Sequence, residues 1–304
     1  MECDEKMESK SLFYILLLLL ATISWGLTFP LINLSLQLIS PVIFLFIRFL
    51  ISSIILLPLV GIKKLRTRGG EVEGIIAGFL LFIGYYFQTV GLKFTTPADS
   101  GIITGLYVVI VPLLSYVYLK SKVSRIDWAA VLIAMIGLII LSDGVSGSSS
   151  VEYGNILTVI CAIGYALQIA YVSKHSSRID SMKFTFYQMF TVAVFSLITI
   201  PTFTIYYDLL SPLVIFTLIF TAIFAGIMGY FLINRALIYV KPEKAGVVLV
   251  TEPIFAAIFS YILVDDQIGI YTIIGGAIMI SAMFISVIDA YLRSKNNLTH
   301  PVVQ

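Results

Sequence analysis

One acid stands alone in an apolar stretch near the C-terminal end. In VVLVTEPIFAAIFSYILV (247–264), Glu252 is followed at once by Pro253. An ionised side chain within lipid costs about 3 kcal/mol on insertion scales, so a chain that keeps one gives it a polar cavity or a partner. A proline in the same turn removes a backbone donor and frees a carbonyl that lipid cannot satisfy. Glu-Pro here predicts a wet, partly broken helix. The carboxylate then either titrates and binds a cation, or is locked to a neighbouring Arg or Tyr for structure. Arg48, in PVIFLFIRFLISSIILLPLV (41–60), is the complementary group. It suits pairing with Glu252 or with a substrate carboxylate; a structural ion pair or snorkelling to the surface are the other readings.

A second set is uncharged. Trp25, Thr28, Tyr85, Gln88, Tyr107, Tyr165, Gln168, Tyr187, Gln188, Tyr230 and Asn234 lie inside apolar runs. Aromatic rings with a few amides suit a cavity for an amphipathic organic molecule. The same types also serve helix packing and interfacial belts. The glutamines carry the most weight, because an amide facing lipid is costly. Pro112 and Pro253 fall inside predicted helices, as pivots or static kinks. Pro97 and Pro242 fall in first turns, where proline is tolerated.

Other chemistry is missing from the sequence. The histidines, His175 and His300, sit in a loop and the tail, and HExxH, GxSxG and GxxxxGK[ST] motifs are absent. Cys3 and Cys161 are far apart and make neither a disulfide framework nor a metal site. No cofactor, metal or nucleic acid is expected.

Positioning these residues falls to membrane helices. The chain is 59% hydrophobic and 12% charged, with a mean hydropathy of +1.03; a soluble domain has about 25% charged residues. The reading is an all-α integral membrane protein with ten spans near 11–32, 41–60, 74–94, 98–119, 127–143, 153–173, 182–204, 212–234, 243–264 and 268–290. A mixed-charge tail (1–10) precedes them, a Gly/Ser-rich link (144–150) divides them, and a tail (293–304) follows. With ten spans, 17 of 19 Lys and Arg fall on one side, Lys93 and Arg48 being the exceptions. Asp99, Asp143, Glu152, Asp208, Asp265 and Asp266 mark the other. The positive side is cytoplasmic, which puts both termini inside the cell membrane.

The second half echoes the first. At an offset of 140, Tyr165 falls on Trp25 and Gln188 on Arg48; at 145, Gly229, Tyr230, Leu237, Pro242 and Gly246 fall on Gly84, Tyr85, Leu92, Pro97 and Gly101. Two units follow, 11–146 and 151–292, with five helices each. An odd number turns the second upside down, the inverted-repeat plan of many transporters.

SWGLTFP (24–30), FLFIRF (44–49), TVGLKFTTPADSGIITGLYVVIVPLL (89–114), ALIYVKPEKAGVVLVTEPIFAAIFSY (236–261) and IIGGAIMI (273–280) together resemble the ten-helix EamA-type transporters of the drug/metabolite transporter superfamily. The resemblance implies a secondary transporter of amino acids, similar small metabolites or amphipathic drugs, working as an exporter. It implies a central cavity lined by spans 1, 3, 4, 6, 8 and 9, with spans 5 and 10 peripheral, at a dimer contact. A proton or substrate gradient would drive it. Ala129, Ala130 and Gly137 with Gly275 and Gly276 make small-residue faces suited either to that homodimer or to internal packing. Sugar-phosphate or nucleotide-sugar exchange is the runner-up, and needs several cavity Lys or Arg where Arg48 alone qualifies. A membrane-embedded enzyme lacks its motifs, and a channel lacks charged rings.

Overall fold

The computed structural model describes residues 2–61, 65, 69–119, 125–143, 149–175, 179–200, 208–239 and 248–299. Among these the structure is helical apart from one bridge residue at Ile39. In chain order the helices are α1 (Glu2–Ser35), α2 (Pro41–Val60), α3 (Glu71–Gly91), α4 (Pro97–Thr104), α5 (Tyr107–Leu119), α6 (Arg125–Asp143), α7 (Ser149–His175) and α8 (Ser181–Thr199). Then come α9 (Pro212–Phe220), a π-helical segment (Thr221–Met228), α10 (Gly229–Tyr239), α11 (Thr251–Val264) and α12 (Ile270–Thr299). Six stretches are long and apolar enough to cross a membrane: Leu16–Ser35, Pro41–Val60, Glu71–Gly91, Val151–His175, Ser181–Thr199 and Pro212–Ala236. Pro97–Val111, Trp128–Leu141, Thr251–Val264 and Ile270–Ile285 are apolar but shorter.

Local chemistry explains most boundaries. α2 starts with Pro41 after an extended Ser40 and stops at Gly61, whose φ of 77° ends the helix. Gly70 turns the chain at φ 90° before α3, whose first turn holds Glu71 and Glu73 against the positive helix end. Thr96 caps α4 by accepting a bond from the Asp99 amide at 3.1 Å, with Pro97 as the first helical residue. Asp180 caps α8 through the Lys183 amide at 3.0 Å. The mixed-charge segment 1–10, expected as a tail, continues α1 as helix from Glu2. Its charges lie beyond the apolar stretch that begins at Leu16 and need no burial.

Two expected spans are interrupted. The fourth breaks at Gly105 and Leu106, where the ladder tightens: Leu106 bonds back to Ile103, Val108 to Gly105 and Val109 to Leu106, three residues each. The ninth shows helical residues Val248 and Leu249, a turn at Val250, then α11; residues 240–247, with Pro242 and Gly246, lie outside the described set. Glu252 and Pro253 therefore open a helix rather than sit deep inside one. Pro253 occupies the first turn, where a missing N–H costs little, so the interior kink expected of it is not what the backbone forms. Pro112 lies within α5.

Close approaches hold the bundle. A Cβ on Gly84 would run into the Tyr165 ring, and one on Gly229 would lie 2.6 Å from Trp25 Nε1. The small-residue faces of α6 and α12 meet each other: a Cβ on Gly137 would sit 2.8 Å from the Gly275 carbonyl oxygen. Internal packing uses them, which leaves Leu132, Ile136, Ile139, Ile273 and Ile274 exposed around the outside. Within the π segment, the Ala222 and Ala225 carbonyls accept bonds from Ser52 Oγ at 3.0 Å and Trp25 Nε1 at 2.8 Å. These bonds satisfy carbonyls that a widened helix leaves poorly paired.

Candidate functional site

A cleft of about 480 Å³, open space at its mouth included, lies between Trp25, Thr28 and Phe29 of α1, Tyr85 and Gln88 of α3, Tyr107 of α5, Tyr165, Gln168 and Ile169 of α7, Tyr230 and Ile233 of α10, Leu249, and Glu252 of α11. Its walls are close: Trp25 is 9% exposed, Tyr85 4%, Tyr107 4% and Glu252 7%.

The walls come from residues that follow helix breaks or face small residues. Gly84 lets the Tyr165 ring lie on the α3 backbone, and Gly229 does the same for Trp25 on α10. These two rings then meet the next residue of each helix: Tyr165 contacts Tyr85 at 5.3 Å between centroids, and Trp25 contacts Tyr230 at 5.7 Å. Tyr85 and Tyr230 meet edge to face at 6.1 Å, and Tyr107 meets Tyr165 likewise at 6.4 Å. Aromatic pairs prefer such tilts, which also turn ring faces toward the open space.

The acid is held by a phenol. Tyr107 Oη donates to Glu252 Oε2 at 2.9 Å. The bond joins residues 145 apart in sequence, each just past a helix break. The breaks touch as well, since a Cβ on Gly105 would stand 2.5 Å from Pro253 Cγ. Gln88 is bonded at both ends of its amide: Oε1 accepts from Tyr165 Oη at 2.9 Å and Nε2 donates to Thr104 Oγ1 at 3.2 Å.

The expected pairing of Arg48 with Glu252 is not formed. Tyr107 takes the carboxylate, while Arg48 lies over the Tyr85 ring at 4.7 Å and the Phe49 ring at 5.0 Å. Arg48 Nη2 also lies 3.4 Å from Tyr85 Oη, with Nε and Nη1 left without hydrogen-bond partners. It is 1% exposed and stands behind the cleft wall. Cation–π contact with two rings offsets part of its desolvation, about 2 kcal/mol where water is excluded. Asn234 is also outside the cleft: its amide nitrogen donates to Thr185 Oγ1 at 3.0 Å and to Gln188 Oε1 at 3.1 Å. Tyr187 packs at Gly74 and under Lys183, whose ammonium bridges the Gly69 carbonyl and Glu71, 2.9 Å each. Phe29, Ile169, Ile233 and Leu249 line the cleft unforeseen. Plain aliphatic or aromatic residues in an apolar chain carry no signal of their own. The lining includes one acid and no Lys or Arg.

Known proteins share this plan. The profile of the EamA-like transporter family matches residues 12–143 and again 152–288. A protein of Archaeoglobus fulgidus described as an uncharacterized transporter is 32% identical over 281 residues, 91% of this chain and 86% of its own length. An S-adenosylmethionine uptake transporter of Rickettsia bellii is 26% identical over 240 residues, 78% of this chain and 80% of that one. A solved protein structure superposes with a TM-score of 0.65 at 16% identity, over 91% of this chain and 98% of that one, a likeness of fold.

Proposed function

The chain belongs to the EamA-like transporter family, and from that premise we propose a secondary transporter that moves a small organic metabolite, an amino acid or similar, or an amphipathic drug through the central cleft by alternating access. The observation that carries this reading is the Tyr107–Glu252 bond, 2.9 Å long, in a cleft walled by five aromatic side chains and two amides. Rings and amides fit a solute with apolar and polar parts. A membrane-buried acid at the same place is a default candidate for coupling to protons or cations. The direction is export, across the cell membrane, with both termini cytoplasmic.

Ten spans in two inverted units, 11–146 and 151–292, are part of the proposal. Support comes from the two successive stretches of the family profile and from mirrored contacts: Tyr165 on Gly84 against Trp25 on Gly229. The broken segments around Gly105 and Val250 would be the pivots. A homodimer through α6 and α12 would use the exposed Leu132, Ile136 and Ile139 face, because the glycines are already engaged. Phosphorylated solutes fit less well, since no basic residue lines the cleft.

The test is reconstitution in liposomes against amino acids, other metabolites and cationic drugs, with and without a pH gradient. S-adenosylmethionine belongs in the panel on account of the Rickettsia relative. Saturable uptake with counterflow is the expected result. Leakage of all solutes without counterflow would argue for a channel and against the carrier.

A further inference from the structure

The cleft has a polar connection to one membrane face that the transport reading does not use. It runs between α4 and α7. Thr95 bonds to Asn155 Oδ1 at 2.5 Å, Ser100 Oγ meets Thr158 Oγ1 at 3.4 Å, and Thr104 Oγ1 meets Cys161 Sγ at 4.0 Å. Thr104 then accepts from Gln88, which accepts from Tyr165 in the cleft wall. On α7 the steps from Asn155 to Tyr165 follow one helix face, a rise of about 15 Å at 1.5 Å per residue. Ser100, Thr104, Thr158 and Cys161 are fully buried, and the row ends close to exposed Glu152 and Tyr153.

Such a row is not needed for packing. A hydroxyl in a membrane helix can satisfy itself on the carbonyl four residues back, as Ser53 does on Phe49 and Thr185 on Ser181. Ser100 and Thr104 instead reach across to the neighbouring helix, so that partners stand opposite each other once per turn. Asn155 Nδ2 remains without a hydrogen-bond partner although Asn155 is only 3% exposed. The corresponding positions in the other half read differently. At offsets of 140 and 145, Thr158, Cys161, Thr104 and Gln88 fall on Leu18, Ala21, Leu249 and Ile233. There the α1–α11 interface keeps a single hydroxyl pair, Thr22 with Thr251 at 3.0 Å.

We propose that the α4–α7 interface is the parting line that opens into a water-filled passage between the cleft and the face bearing Glu152, while the apolar α1–α11 interface is the seal. This rests on the carrier reading of the cleft. When α4 and α7 separate, each hydroxyl exchanges its partner for water with little net loss. When α1 and α11 separate, apolar surface meets water and the cost grows with area. One polypeptide thus has one interface that wets readily and one that does not.

Cys161, midway along the row, is a native reporter. With Cys3→Ser it is the chain's single thiol. The reconstituted protein is treated with a membrane-impermeant methanethiosulfonate, and a parallel sample carries Ala21→Cys with Cys3→Ser and Cys161→Ala. Cys161 is expected to react at least about tenfold faster than the thiol at position 21, and Ser100→Val with Thr104→Val to slow it by about tenfold, the loss expected when two cross-helix bonds give way to apolar contact. Elution volume and helical circular dichroism establish that each variant is folded. A Cys161 that stays protected, or a position-21 thiol that reacts as fast, overturns the passage. Counterflow measured on the same liposomes separates the two readings: counterflow with Cys161 protected overturns the passage and leaves the carrier standing, whereas reactive Cys161 without counterflow supports the passage and counts against the carrier.

Discussion

The break at Gly105–Leu106 and the break at Val250 use the same backbone device for opposite chemistry. Each interrupts an apolar helix and releases the next turn toward the cleft. After the first comes Tyr107, neutral and a donor; after the second comes Glu252, an acid. The two meet across 2.9 Å. A shared scaffold therefore fixes where the groups stand, and the side chains alone decide what each contributes. Alternation between open states needs such likeness in the frame; coupling to an ion needs the unlikeness of the charge.

That contrast can be broken most severely by removing the charge. Glu252→Gln keeps shape and one acceptor, and is expected to lower pH-gradient-driven uptake by about a hundredfold, the lower end for a positioned proton-transferring group. Liposome uptake at matched protein levels measures it, and equal uptake with equal pH response would remove the carboxylate from the mechanism. Next in size is a test of the frame. Gly84→Val and Gly229→Val each overpack a ring at the cleft wall and should each cost about 2 kcal/mol of stability, read as similar drops in melting temperature in detergent. A large drop for one and none for the other would show that the two contacts are not equivalent.

Tyr107→Phe is milder. It leaves a buried carboxylate without its donor and should destabilise by about 1.5 kcal/mol. The exchange Tyr107→Glu with Glu252→Tyr restores a phenol–carboxylate bond across the same gap and should recover most of that loss. Failure of the exchange to recover stability would mean the two positions differ in more than side chain. The smallest effect is expected at the interfaces: Thr104→Val costs about 0.6 kcal/mol, a typical interhelical bond in a membrane protein. Leu249→Thr at the matching position should cost more than Thr104→Val, because it places a hydroxyl among apolar neighbours.

Much of this was legible before any coordinates. Glu252, the tyrosines at 85, 107, 165 and 230, Trp25, Thr28, Gln88 and Gln168 stand out because polar and amphipathic types are rare in this chain, and the structure gathers them around one cleft. Arg48 and Asn234 stood out equally and lie outside it. Polarity tells that a side chain avoids lipid, not which neighbour receives it; Arg48 found Tyr85 and Phe49, and Asn234 found Thr185 and Gln188. The helix breaks were only half visible. Pro253 suggested an interruption at Glu252, but the turn lies before the proline, at Val250, and Gly105–Leu106 has no proline at all. Those turns are set by contact between the two segments, Gly105 against Pro253, which is long-range and leaves no periodic trace.

The π-helical segment Thr221–Met228 fixes the phase of everything after it. A residue removed from this stretch would return it to ordinary α-helix and rotate Gly229, Tyr230 and Ile233 by about 100°, one residue's share of a 3.6-residue turn. Tyr230 would leave Tyr85 and Trp25 without changing its place in the sequence. A one-residue gap among relatives at this spot thus has the meaning of a re-aimed cleft wall, and a deletion there is a way to alter which solutes fit without substituting any residue that touches them.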